Sequence, residues 1–182
     1  MWLKEYVNRM KGGAQSPTGV SFHVIFWSGL ASFIGIAVVA YMSKNYFNPY
    51  DLTLLIGSFG ASAVLVYGAI KTPLAQPRNL MGGHILSGIV GVASYKLLGH
   101  INMPLAAAVA VSFAIMLMHA TKTLHPPGGA TALIAVIGGK GIYKLGFLYA
   151  LMPAGLGALI LLIIALLVNN LSKDRKYPEF WW

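Results

Sequence analysis

Apolar positions in this chain neither alternate nor recur as a helical stripe; they run in long blocks separated by short polar stretches. Val20 to Met42 holds no charged residue, and about 20 apolar residues match the hydrocarbon thickness of a bilayer, so this block can span alone. Leu52 to Ile70 is a second block, broken near Gly57-Ser58-Phe59-Gly60. Leu80 to Leu98 is a third, with Lys96 at its end. Met103 to His119 is a fourth, opened by Asn102 and Pro104, which suit a helix start. Pro126 to Gly139 is a fifth and too short to be a full crossing. Leu145 to Leu171 is the sixth and longest, with Pro153 in its first third. The pattern predicts an all-α integral membrane protein of about six segments, the second and fifth interrupted. Residues 1–19 read as an amphipathic interfacial segment, 20–171 as a transmembrane transport domain and 172–182 as a basic, aromatic tail. The first 13 residues, MWLKEYVNRMKGG, lack the apolar core of a signal peptide and suit a helix lying on the membrane surface. In the tail, Trp181 and Trp182 are expected at the headgroups or disordered.

Composition agrees with lipid as the solvent. Of 182 residues, 57% are hydrophobic and only 9% charged, against roughly a quarter charged in a soluble domain. The formal charge of +9 does not point to nucleic acid, because the basic residues sit singly between apolar blocks, as in membrane loops. Cysteine is absent, which removes disulfides, thiolate metal sites and cysteine nucleophiles and leaves the redox compartment unread.

Loop charge orients the chain. With six crossings, one side holds nine basic residues (Lys4, Arg9, Lys11, Lys71, Arg78, Lys122, Lys173, Arg175, Lys176) and the other holds four (Lys44, Lys96, Lys140, Lys144). If the fifth segment only dips in and returns, the split falls to eight against five. The positive-inside rule therefore favours six crossings with both termini cytoplasmic. A bacterial plasma membrane is the expected location.

An internal repeat supports the same plan. Gly60-Ala61-Ser62-Ala63-Val64-Leu65 matches Gly129-Ala130-Thr131-Ala132-Leu133-Ile134 at an offset of 69 residues, and each block follows a glycine-rich break. Each is flanked by two apolar segments, so the chain reads as three plus three. An odd number of crossings per half inverts the second half relative to the first, the inverted-repeat plan of many transporters. Small-residue helix packing also produces such blocks.

The break at Thr123 to Leu133, TLHPPGGATAL, has a physical purpose on this plan. A residue before proline avoids the α region and proline supplies no amide hydrogen. Leu124 to Pro127 is therefore expected to be extended, Gly128-Gly129 to turn, and Ala130 to Ile137 to form a half-helix of roughly 12 Å. The break at Gly57 to Gly60 starts a second half-helix at Ala61. Two positive helix ends meeting at mid-membrane make an anion site without a buried lysine. Its expected members are Gly60, Ala61 and Ser62 from one half and Gly128, Gly129, Ala130 and Thr131 from the other. Ser62 and Thr131 add hydroxyl donors.

His125-Pro126-Pro127 and the following GGATAL, GSFGASAVL from Gly57 to Leu65, and PLAQPRNLMGGH from Pro73 to His84 together resemble the HPP family of integral membrane proteins. The resemblance covers roughly Pro17 to Leu171. It implies anion transport, since similar members are known as nitrite transporters of cyanobacterial membranes and the chloroplast envelope. That family is commonly described with four spans, two fewer than the apolar blocks counted here. Some members carry a soluble nucleotide-binding CBS pair, a feature to which this resemblance does not extend.

The other candidate residues keep two readings each. His125 either lines the permeation path or locks a freed carbonyl. His84, after Gly82-Gly83, lines the path or packs. Arg78 sits at the cytoplasmic mouth, to attract anions or to mark topology and bind headgroups. His84, His119 and His125 show no compact metal-ligand spacing and no nearby carboxylate, so no metal and no cofactor are expected. The acids Glu5, Asp51, Asp174 and Glu179 all lie outside the apolar blocks, which argues against an enzyme and leaves histidine as the sole intramembrane acid or base. The expected function is transport of a small monovalent anion, nitrite favoured, with the lipid bilayer as the other partner and no nucleic acid. A homo-oligomer is compatible with the pattern. The alternatives are a structural or assembly subunit without transport, and a histidine-dependent membrane redox protein.

Overall fold

A computed structural model describes residues 2–50 and 53–182. Met1, the acid Asp51 and the expected start of the second segment at Leu52 lie outside the described residues. Helices make up the fold, with no strand among the described residues. α1 (Trp2–Arg9) has no buried residue, and Trp2 stacks on Tyr6 with ring centroids 5.5 Å apart. α2 (Phe22–Met42) starts on Ser21, whose Oγ accepts from the Val24 amide at 3.4 Å, and runs on through a π turn at Ser43–Phe47. α3 (Ser58–Ala63) is short and continues as a π turn over Val64–Gly68.

α4 (Pro77–Ser94) also runs on, through Tyr95–Gly99, so the third apolar block is one continuous helix. α5 (Met103–Ala120) begins as its sequence suggests: the Leu105 amide donates to Asn102 Oδ1 at 2.9 Å, and Pro104 lies in the first turn. α6 (Pro126–Ile137) is followed by the short α7 (Lys140–Leu145). The sixth apolar block is broken before α8 (Leu156–Asn169), because Met152 is extended (φ −145°, ψ 113°) ahead of Pro153. That is the backbone a residue before proline prefers.

Among the described residues, three helical stretches are long and apolar enough to cross a membrane: Phe22–Phe47 (26 residues), Met103–Ala120 (18) and Ala150–Asn169 (20), the last including the kink at Met152. Ser58–Gly68 and Pro126–Ile137 are shorter apolar helices. Large apolar side chains such as Phe22, Phe33, Phe113 and Leu167 are exposed around the outside, where hydrocarbon rather than water is the neighbour that suits them.

Inside, the helices close on small residues, as membrane interfaces do. A Cβ on Gly91 of α4 would stand 2.5 Å from the Ala132 carbonyl of α6 and 2.7 Å from Ala135 Cβ. Ala106, Ala110 and Ala114 put one buried face of α5 against Ala132 and Val136. α4 is central, packed against α5, α6 and α8.

The start of α2 and the tail lie at the same end of the bundle, where Ser172 Oγ and His23 Nε2 are 3.2 Å apart. The tail packs on the protein through Arg175, Tyr177 and Glu179, while Trp181 and Trp182, expected at the headgroups or disordered, keep exposed side chains. Arg175 is buried, not a loop charge, and donates to the Tyr67 carbonyl at 2.6 Å, to Asn169 Oδ1 at 2.8 Å and to Ser28 Oγ at 3.1 Å. Its guanidinium thus satisfies the Tyr67 carbonyl in the π turn that follows α3. Tyr177 Oη donates to the Ala75 carbonyl at 2.7 Å and the Glu179 amide to Gln76 Oε1 at 2.8 Å. These bonds seat the tail over the Thr72–Gln76 loop.

Candidate functional site

Four helical features converge on one buried polar cluster. Ser58 and Ser62 lie four residues apart on α3 and so share a face. Thr131 occupies the same relation to Pro127 on α6, and its Oγ1 reaches the Pro127 carbonyl at 3.2 Å. His125 caps α6 in extended conformation (φ −140°, ψ 105°), as the residue before Pro126 must. His84 follows Gly83 on α4, where a Cβ would stand only 2.5 Å from His125 Cβ; glycine lets the HPP loop approach. Asn79 Nδ2 ties the same loop to α4 by donating to the Leu124 carbonyl at 2.8 Å.

Ser62 Oγ bridges the two imidazoles, 2.7 Å from His84 Nε2 and 2.9 Å from His125 Nε2. His84 Nδ1 meets Thr131 Oγ1 at 2.7 Å, and Thr131 Oγ1 meets Ser58 Oγ at 3.0 Å. His125 Nδ1 meets the Leu74 carbonyl at 2.8 Å. The ring centroids are 5.1 Å apart, and Phe59 stands edge-on to His84 at 5.3 Å. Ser62, His84, His125 and Thr131 have no exposed surface at all.

The partners fix the hydrogens of the uncharged cluster. A carbonyl oxygen only accepts, so His125 Nδ1 carries its proton and Nε2 is an acceptor. Ser62 has one hydroxyl proton. Giving it to the Ser58 carbonyl at 3.2 Å leaves His125 Nε2 without a donor, so Ser62 donates to His125. Ser62 must then accept from His84 Nε2–H, and His84 Nδ1 accepts from Thr131. The result is a directed chain, Thr131 to His84 to Ser62 to His125 to the Leu74 carbonyl.

Of the residues expected at the site, Ser62, Thr131, His84 and His125 meet here. Gly128 packs beside them, a Cβ there falling 2.7 Å from both the Gly83 carbonyl and Ser87 Oγ. Gly60 and Ala61 are exposed on the opposite face of α3. Gly129 and Ala130 line an apolar groove of about 510 Å³ between α5 and α6, with Val111, Met118 and Leu133. Arg78 opens into a separate groove of about 320 Å³, beside Thr123, Leu162, Trp181 and Trp182.

The reason is helix phase. α3 starts at Ser58 rather than Ala61, and α6 at Pro126 rather than Ala130. Both prolines fit in the first turn, where an amide hydrogen is not needed, so α6 has 12 residues and rises about 18 Å. Three of the amides near these starts are already engaged: Phe59 to Ile56, Gly60 to Gly57 and Gly128 to His125, at 3.0, 3.2 and 2.8 Å. Side chains, not free amides, furnish the polar surface.

Ser58, the Leu74 carbonyl and Tyr149, whose Oη donates to the Thr131 carbonyl at 3.0 Å, escape the sequence reading. The four-residue spacing of Ser58 and Ser62 was a usable signal; a backbone carbonyl 51 residues from its partner gives none. Two imidazoles meet here, and no third histidine or carboxylate joins them into a metal-holding group among the described residues.

The family model for the HPP transmembrane region matches residues 17–178. A transmembrane protein of Dictyostelium discoideum is 47% identical across all of this chain, which spans 59% of that relative's length. A second transmembrane protein from the same organism is 44% identical, and the chain spans 65% of it. No solved structure matches the chain.

Proposed function

The chain belongs to the HPP transmembrane family, and on that premise we propose that it is a transporter or channel for a small monovalent anion, nitrite before others. The observation that carries this reading is the cluster of Ser58, Ser62, His84, His125 and Thr131, buried without a carboxylate partner inside an apolar helical bundle. Polar groups in a membrane interior are costly, and those retained there mark ion or substrate paths. Hydroxyls and imidazole N–H groups can replace the hydration shell of an anion, which otherwise meets a cost of tens of kcal/mol in hydrocarbon. No fixed negative charge repels it.

The cluster is closed on all sides, so this is an occluded arrangement. An anion enters when α3 and α6 part around Ser62 and Thr131, and it leaves readily because each contact is weak. Arg78, at the edge of the bundle, serves the mouth. Six crossings in a 3+3 inverted repeat are part of the same proposal: the two halves contribute Ser62 and Thr131 to one midplane site, as inverted repeats do. The excess of loop charge puts both termini in the cytoplasm.

Purified protein in liposomes, offered nitrite, nitrate, formate and chloride, tests the reading. Nitrous acid crosses bare lipid, so protein-free vesicles are subtracted. Uptake of nitrite above that background is expected, and none for any of the four anions refutes transport. A structural or assembly role is the second reading, favoured by the complete internal pairing of the cluster. It expects His125→Gln to lower stability with no flux to lose.

A further inference from the structure

The directed chain through Ser62 has a property that a static polar plug does not need. It accepts one additional proton, whose charge can rest on either imidazole, and leaves no donor without an acceptor. Protonation of His84 at Nδ1 turns that nitrogen into a donor to Thr131 Oγ1, 2.7 Å away, while the Thr131 hydroxyl swings to the Pro127 carbonyl at 3.2 Å. Ser62 still donates to His125. In the second arrangement Ser62 passes its proton to His125 Nε2 and takes the proton of His84 Nε2. The N–H bond at His84 Nε2 breaks, an N–H bond at His125 Nε2 forms, and Ser62 ends with one proton as before. His125 is then the cation, donating to Ser62 and to the Leu74 carbonyl at 2.8 Å, and Ser62 donates back to His84. The charge has moved between rings 5.1 Å apart with no heavy-atom displacement.

We propose that His84, Ser62 and His125 form a proton relay that holds one exchangeable proton and links anion passage through the cluster to proton movement. The relay stands on geometry alone; its link to anion passage rests on the transport reading above. The surroundings suit it. α3 presents Ser58, Phe59 and Ser62, α6 presents Thr131, and α5 presents Met118 against Ser87. The other titratable groups nearby are Tyr149, which donates to the Thr131 carbonyl, and Tyr177, which donates to the Ala75 carbonyl beside Leu74. Arg78, on α4 itself, opens into its own groove. A single positive charge on two close imidazoles is the most such a site can carry, because a second would face the first at short range in a medium that screens poorly.

Full-length protein with ¹⁵N-labelled histidine rings, in lipid bilayers, tests the relay by solid-state NMR. At alkaline pH the expected tautomers are His125 with Nδ1–H and His84 with Nε2–H. On acidification one imidazolium per chain should appear, shared between the two rings by exchange, and Ser62→Ala should abolish the exchange. His125 found as the Nε2–H tautomer, two independent protonations, or no protonation over the pH range of the intact fold each overturn it. In liposomes, external acid should accelerate nitrite uptake above the protein-free control, and this slope should be lost in Ser62→Ala. Spectra as stated with no anion flux refute transport and leave the relay. Flux without a pH slope, and without the shared proton, refutes the relay and leaves transport.

Discussion

Replacing Gly128 or Gly129 by alanine adds the same methyl group one residue apart on α6. At Gly128 the new Cβ would stand 2.7 Å from the Gly83 carbonyl oxygen, 2.7 Å from Ser87 Oγ and 2.9 Å from Met118 Sδ. Non-bonded carbon prefers about 3.5–4.0 Å. The methionine and serine side chains can yield, but the Gly83 carbonyl belongs to the α4 backbone, so the two helices must separate. Overpacking of this kind costs about 1–3 kcal/mol. At Gly129 the nearest atom is Val111 Cγ1 at 3.9 Å, an ordinary contact. There alanine only removes glycine's backbone entropy in a helix, a gain of about 0.5–1 kcal/mol. The same backbone gain applies at Gly128, which is also inside α6, so Gly128→Ala should be about 1–3 kcal/mol less stable than Gly129→Ala. Unfolding by SDS titration in mixed micelles, followed by far-UV circular dichroism, measures the difference. Equal stabilities, or the opposite order, would refute the packing of α6 on α4 described above.

Three further outcomes follow from the tail and the termini. Arg175→Ala should destabilise by about 1.5–3 kcal/mol in the same titration, because hydrogen bonds from a charged group to the Tyr67 carbonyl and Asn169 are lost; no loss means that the guanidinium holds nothing. Burial pushes the Tyr177 phenol above its usual value, so the folded state favours the protonated form. Its contribution is complete below the unfolded pKa and falls as pH climbs beyond ~10. Tyr177→Phe should flatten that alkaline decline while costing about 0.5–1.5 kcal/mol at neutral pH through the lost bond to Ala75; an alkaline decline as steep as wild type would contradict it. Single cysteines at Lys4→Cys and Lys176→Cys, in a chain with no native cysteine, should react with an impermeant label from the same side of sealed vesicles; opposite sides would rule out an even number of crossings.

Much of the fold was legible because membrane insertion is a local rule. Apolar length chooses the helices, and Asn102 with Pro104, or proline after His125, marks a start through its own backbone chemistry. The first and fourth apolar blocks accordingly became α2 and α5. The block around Pro153 shows where that legibility stops: length suggested one helix, but Met152 is extended and α8 begins at Leu156. Ser58 to Gly60 and Gly128-Gly129, read as parts of breaks, lie inside helices instead: α3 begins at Ser58 and α6 at Pro126, three and four residues earlier than Ala61 and Ala130.

By itself the sequence determined that this chain lives among lipids, that two of its helices are short, and that hydroxyls and histidines lie near the breaks. Those are properties of composition and of neighbouring residues. The tertiary structure decided which of them meet. Each residue turns a helix by about 100°, so beginning α3 at Ser58 sends Ser62 inward and Gly60 and Ala61 outward. Contact between α4 and the HPP loop, permitted by Gly83, then brings His84 and His125 to the same hydroxyl. The seat of Arg175 beside the π turn after α3 is likewise a matter of packing, since a basic residue in a tail reads as a solvent charge until the fold puts the Tyr67 carbonyl, Asn169 and Ser28 around it.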